Sequence, residues 1–218
     1  MKSTANILLI LLSINLLAQK ADTLVRDFRP SGVRIGYDVF GGARSALDKT
    51  YSGFEMSADV DFYRYYLTVD VGNWKRELTS DADRYINNGN YMRAGVDVNF
   101  LKKDPERNMF FIGARYGWGT FSESLVKTTD DPVWGITTET FTNTNSRASW
   151  FEVTTGLRVK MYKFFWMGYT IRYKFGLNTS GTGELATYDV PGFGSTFKSS
   201  TWGFNYLLLF RIPVRKEL

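Results

Sequence analysis

The alternation of apolar and polar residues is clearest from Phe54 to Phe62, where Phe54, Met56, Ala58, Val60 and Phe62 are separated by Glu55, Ser57, Asp59 and Asp61. A period of two puts the apolar set on one face of a β-strand and the acidic set on the other. The pattern recurs. It predicts strands over 32–40, 54–62, 65–74, 90–100, 109–121, 150–161, 165–175 and 202–212. In the first, Val33, Ile35, Tyr37 and Val39 oppose Arg34, Gly36 and Asp38; in the sixth, Phe151, Val153, Thr155, Leu157 and Val159 oppose Glu152, Thr154, Gly156, Arg158 and Lys160. Short connections fall at Tyr63-Arg64, around Lys102 to Pro105 and at Tyr162-Lys163, and long polar ones over 41–52, 76–88, 122–147 and 177–199.

Strands of about 9 to 12 residues, at about 3.3 Å per residue and a tilt of about 40°, span an apolar band of about 25 Å. Short turns on one side and long loops on the other are the pattern of outer-membrane barrels. Aromatic residues gather at both strand ends and predict two interfacial girdles: Phe62, Tyr63, Tyr65, Tyr66, Tyr162, Phe164, Phe165 and Trp166 beside the short turns, and Trp74, Trp118, Phe121, Trp150 and Trp202 beside the long loops. A soluble lipocalin-like barrel would have to hold the Tyr, Phe and Met of all eight strands in its lumen, more volume than an eight-stranded barrel encloses. The expected fold is all-β, an eight-stranded antiparallel up-and-down transmembrane β-barrel in the outer membrane of a Gram-negative bacterium.

The polar faces then line the lumen. They bring together Asp38, Glu55, Asp59, Asp61, Asp70, Asp97 and Glu152 with Arg34, Arg93, Arg115, Arg158, Lys160, Arg172, Lys174 and Arg211. The acids cluster on strands two to four and most bases on strands five to seven, so opposite walls can pair across a lumen about one side chain wide. A salt-bridged plug and a narrow path for an ion or solute are both compatible with this set.

Composition removes other classes. The 218 residues are 44% hydrophobic and 17% aromatic, with 20 Gly, 5 Pro and neither Cys nor His. The mean hydropathy of −0.24 is too low for a helical membrane protein. Disulfides, thiolate or His-ligated metal sites and His-dependent triads are excluded. The net charge of +5 is spread along the chain, with no basic patch for nucleic acid. No cofactor is expected. Residues 1–18 read as a signal peptide, with an apolar run over 7–17 and a cleavage site after Ala18. Residues 19–31 read as a periplasmic lead-in, 32–213 as the barrel and 214–218 as a short tail. Asp22-Thr23-Leu24 matches a three-residue O-glycosylation pattern at Thr23.

The chain resembles the small outer-membrane barrels of the OmpA-transmembrane and OmpX type. The segments Arg29-Pro30-Ser31-Gly32-Val33-Arg34-Ile35-Gly36 and Phe111-Ile112-Gly113-Ala114-Arg115-Tyr116-Gly117 look like an uncharacterised outer-membrane barrel family of Bacteroidetes-type bacteria. The resemblance implies location and fold and leaves function open. Barrels of this type usually end on an aromatic residue read by the assembly machinery; here Phe210 is followed by Ile-Pro-Val-Arg-Lys-Glu-Leu, so Phe210 would act from an internal position.

Three functions compete. In the first, the barrel is a non-enzymatic structural or interaction protein or an accessory subunit, contacting outer-membrane lipid, lipopolysaccharide or a protein partner through its long loops. Val133, Trp134, Ile136 and Phe141 are more apolar than a solvated loop needs and form the candidate interface, unless the loop is a hairpin that packs on itself. In the second, a small solute passes through the lumen or leaves sideways, as in OmpW-like barrels, from an apolar pocket lined by Trp74, Trp118, Trp150 and Trp202. The third, an enzyme, would lean on a carboxylate pair such as Asp59 with Asp61, and Asp130-Asp131, two adjacent acids, are far short of a Ca²⁺ site.

Overall fold

The computed structural model describes residues 28–215 apart from 81, 102, 103, 105, 182 and 184. The expected signal segment, Thr23 and the last three residues of the tail lie outside them. Eight strands close an antiparallel barrel: β1 (Gly32–Asp38), β2 (Tyr51–Phe62), β3 (Tyr65–Thr79), β4 (Asp83–Asn99), β5 (Met109–Asp131), β6 (Gly135–Tyr162), β7 (Phe165–Ser180) and β10 (Ser200–Pro213). Between β1 and β2 lies a helix, α1 (Val39–Leu47), and between β7 and β10 a small hairpin, β8 (Asp189–Val190) with β9 (Gly194–Ser195). Each barrel strand pairs with its sequence neighbour, and β1 closes the ring on β10, from Gly32 opposite Pro213 to Asp38 opposite Leu207.

The period-two pattern sets which face is buried. Along β5, Phe110, Ile112, Tyr116 and Trp118 face out while Met109, Phe111, Arg115 and Phe121 are buried inside. The outer surface carries a ladder of rings near the mouth: Tyr116 meets Phe151 at 5.2 Å, Phe151 meets Phe175 at 6.2 Å and Tyr173 meets Trp202 at 5.0 Å. An apolar outside around a charged inside is the arrangement of a barrel whose surroundings are lipid.

Four of the residues expected in the girdles are lumen residues instead. Tyr66, Phe121, Trp150 and Trp166 are buried, because each falls on the inward register of its strand. The first strand stops at Asp38 rather than at residue 40. Its carboxylate turns to cap α1, accepting from the backbone N–H of Phe40 at 3.2 Å and of Gly41 at 3.1 Å. Most of the polar stretch 76–88 is paired strand: Arg76 lies opposite Asn87 and Thr79 opposite Arg84. Likewise 122–147 is chiefly a long two-stranded hairpin reaching beyond the barrel, with Asp131 opposite Gly135. Outside the membrane both faces of a strand meet water, so the apolar period that marks strands within the band is lost there.

Candidate functional site

The lumen is filled in layers. Nearest the short turns, Tyr66, Met109, Phe111, Trp166, Leu207 and Leu209 form two small apolar clusters. Arg34 enters this layer, its guanidinium carbon 4.6 Å from the Tyr66 ring centre and 5.3 Å from that of Trp166, and it donates to Asp59 at 2.8 Å.

Above it runs one connected set of charges. Asp59 also accepts from Arg158, which reaches Asp97 at 3.9 Å. Arg115 bridges Asp97, at 2.8 Å, and Asp70. Asp70 is shared with Arg93 at 3.5 Å and Arg172 at 3.2 Å. Those two arginines meet Glu55 and Glu152: Arg93 pairs with Glu55 and, at 3.5 Å, with Glu152, while Arg172 lies 3.4 Å from Glu55 and 3.2 Å from Glu152. Five arginines thus match five carboxylates, contributed by every barrel strand except β10. That strand supplies Asn205, whose Oδ1 accepts from Arg172 Nε at 2.6 Å. Removing a charge from water costs several kcal/mol, and this is offset only where partners and hydrogen bonds are complete; the shared carboxylates and the Thr68, Tyr91, Trp150 and Thr154 donors to Asp97, Glu55 and Glu152 serve that end.

Five of the expected lumen charges stand outside this set: Asp38, Asp61, Lys160, Lys174 and Arg211. Asp38 caps α1 and accepts from Asn205 Nδ2 at 2.8 Å and Tyr206 N–H at 2.9 Å. Asp61 holds the chain entering β1, accepting from Ser31 N–H at 2.6 Å and Gly32 N–H at 2.9 Å, with Arg211 at 3.5 Å. Lys160 lies at the short-turn rim, 2.8 Å from Glu106. Lys174 makes no ion pair among the described residues; its Nζ donates to the carbonyls of Gly192 at 2.8 Å and Phe193 at 3.0 Å. Asp59 and Asp61, two residues apart on one face, have separate partners.

Those carbonyls belong to the segment carrying β8 and β9, which folds into the long-loop end of the barrel. Val190 and Phe193 are buried with Tyr91, Phe121, Ala148 and Trp150, and Phe193 meets Trp150 edge-on at 6.0 Å. Side chains of the wall hold the backbone of this plug: Asn87 Nδ2 donates to Asp189 O at 2.8 Å and Asn143 Nδ2 to Leu185 O at 2.6 Å. Gly192 sits at φ +82°, and a Cβ there would lie 2.6 Å from the Tyr91 ring, so both backbone and space require glycine. Gly/Ser/Thr-rich composition marks this stretch as a loop but gives no sign that it folds inward.

Between the plug, α1 and the walls of β2, β3 and β10 lies a cavity of about 330 Å³. Its floor is the top of the charge network, Glu55, Arg93 and Arg172; Tyr51 and Trp74 form one side and Asp189 and Phe193 another. Trp74 and Trp202 are the members of the expected tryptophan pocket that line it. Trp150 lies buried behind Phe193, and Trp118, on the outward register, faces away from the lumen.

The candidate interface is divided. Val133, Trp134 and Ile136 stand exposed at the tip of the β5–β6 hairpin, Trp134 at 84%. Phe141 is half-buried on the shaft, opposite Leu125. Asp131 shapes the tip, its Oδ1 accepting from Val133 N–H at 2.7 Å and Trp134 N–H at 3.0 Å.

A family model described as "Domain of unknown function (DUF6048)" matches residues 1–217. The chain belongs to that family. Its DUF6048 barrel is similar to a solved structure titled "Crystal Structure of Acinetobacter baumannii CarO", with 9% identity, a TM-score of 0.45 and coverage of 87% of this chain and 100% of that one. A likeness of this size says nothing about what the DUF6048 chain does. No curated protein matches it.

Proposed function

We propose that the chain is a non-enzymatic outer-membrane barrel whose lumen is a structural core rather than a path, and whose working surface is on the side of the long loops. One observation carries this reading: the network from Arg34 to Glu152 crosses the whole lumen, with Asp70, Asp97 and Arg158 entirely inaccessible and the other members nearly so. Toward the short turns, the space beside Arg34 and Asp59 measures about 10 Å³, at the limit for a single water. The outer cavity is therefore blind at its floor. An ion crossing would have to displace charge pairs that stabilise the barrel, an unfavourable exchange in a low-dielectric interior.

A surface role leaves the exposed Val133, Trp134 and Ile136 as the contact for a protein partner or for lipopolysaccharide, which would make the chain an interaction protein or an accessory subunit. Conductance across planar lipid bilayers tests the sealed lumen. The wild-type barrel is expected to give no discrete channels; stable single-channel openings would replace this reading with that of a solute conduit.

A further inference from the structure

The short-turn rim carries a groove that the sealed lumen does not use. It lies between the β4–β5 turn, the β6–β7 turn and the end of β10, measures about 630 Å³ and stops inward at the buried Trp166. Five of the side chains that line it are cations: Arg107, Lys160, Lys163, Arg211 and Arg215. Unlike the charges of the lumen network, all five can be reached from outside, Lys163 and Arg215 being exposed and the other three partly so.

The acids of this end do not match them in number. Glu106 pairs with Lys160 at 2.8 Å, and Asp61 lies 3.5 Å from Arg211. Asp104 is taken up by its own turn, accepting from Asn108 Nδ2 at 2.9 Å and from Glu106 N–H at 2.8 Å. Two of the cations meet on one uncharged atom: Arg107 Nη1 donates to Ser31 Oγ at 2.6 Å and Arg211 Nη2 to the same oxygen at 2.8 Å. Guanidinium groups that close repel each other, and an anion beside both offsets the repulsion. The excess of positive charge in the groove favours an anionic ligand.

The apolar part of the groove narrows the kind of anion. Phe164 and Val214 are exposed along it, and Phe164 stacks on Phe210 of the outer wall at 6.2 Å. Phe210 in turn meets Phe165 at 5.5 Å, so the cationic rim continues onto the surface that faces lipid. Lys163 lies 5.2 Å from the ring centre of Tyr162, and Tyr162 and Phe164 flank it in sequence, the company of rings and cations found at a membrane interface. A free phosphate would match the charge and leave the apolar wall uncovered. A phosphate that carries hydrocarbon chains matches both.

We infer that this groove binds an anionic phospholipid of the leaflet at the short turns, its phosphate among Arg107, Lys163, Arg211 and Arg215 and its chains along Phe164 and Phe210. Val214 N–H donates to Ser31 O at 3.1 Å and so positions the segment that carries Arg215. The inference rests on the reading of the chain as a membrane barrel and is independent of the sealed lumen, which conductance tests separately.

Native mass spectrometry of the full chain in an uncharged detergent tests this with phosphatidylglycerol and phosphatidylcholine of equal chain length, and with inorganic phosphate as the free anion. A phosphatidylglycerol adduct is expected, bound at least about 5-fold more tightly than phosphatidylcholine, and inorganic phosphate in excess should not displace it. Lys163→Gln and Arg215→Gln, both at exposed positions, are each expected to weaken phosphatidylglycerol binding about 5-fold, the worth of one cation beside an anionic lipid. Arg84→Gln removes an exposed cation at the opposite end of the barrel and is expected to leave it unchanged. The inference is overturned by equal binding of the two lipids, by displacement with inorganic phosphate, or by a preference that the Lys163→Gln/Arg215→Gln double variant keeps in full. Should the double variant fail to give the compact folded band on an unheated gel, the wild-type comparison of the two lipids decides.

Discussion

The middle of the lumen and the tip of the β5–β6 hairpin are opposite environments built by one alternating chain. In the lumen, ten charged groups are buried against one another; at the tip, Val133, Trp134 and Ile136 stand in the open. In water a protein hides its apolar groups and displays its charges. Inside the membrane band the alternation is reversed, and what must be satisfied internally is polar. The tip lies beyond that band and gains nothing from lipid, so its apolar groups need another reason, which the proposed contact supplies. The lumen therefore tolerates little change and the tip a great deal.

The largest effect expected from this contrast is that of Asp70→Ala. The substitution leaves Arg93, Arg115 and Arg172 without the carboxylate they share, and breaking a buried pair on one side costs about 3–5 kcal/mol. Urea titration in lipid vesicles should show a much lower midpoint, or the compact band should be lost; a change under about 1 kcal/mol would mean that water reaches the network. Replacing Val133 and Trp134 by serine should shift the same midpoint by no more than about 0.5 kcal/mol, as for surface sites generally. That double variant is expected to remove a partner that co-purifies in mild detergent, and retention of the partner would place the contact elsewhere.

The smallest effect concerns pH. The amides of Trp134 and, second, Val133 hold the Asp131 carboxylate below the usual range. A depressed carboxylate contributes stability that is complete above its ordinary value of about 4 and is lost as pH falls through the lower value set by the turn. The Val133 and Trp134 amide signals should stay fixed from neutrality down to that point; movement between pH 5 and 7 would show that the turn is held otherwise.

The barrel was legible in the sequence because lipid enforces a strict period of two, and the charged half of that period named most of the lumen. All ten members of the network stand on the polar faces that the alternation separates. Arg211, Lys160 and Asp61 share the register yet lie toward the short-turn end, since register gives a face but not a height in the barrel. Asp38 and Lys174 have partners in α1 and in the plug, and neither element has a local signature: α1 contains Gly41 and Gly42, and β8 and β9 are two residues each. The outer cavity depends on those same two elements, so no pattern in the sequence announced it. A tryptophan at a strand end suits a girdle or a lumen equally in composition, and only the register of Trp150 and Trp166 separates the two.

The spacing of the charge pairs along the chain also constrains how the barrel is made. Asp59 and Arg158 are 99 residues apart, and Glu55 and Arg172 are 117 apart. Such contacts exist only after the strands have curled into a ring, and closing so long a loop delays them further. Arg115 and Arg172 meet Asp97 and Glu152 on adjacent strands, but Arg158 gains Asp59, and Arg172 gains Glu55, only once the ring is closed. The full set of pairs is therefore a property of the closed ring, which the pairing of β1 with β10, from Gly32 opposite Pro213, completes.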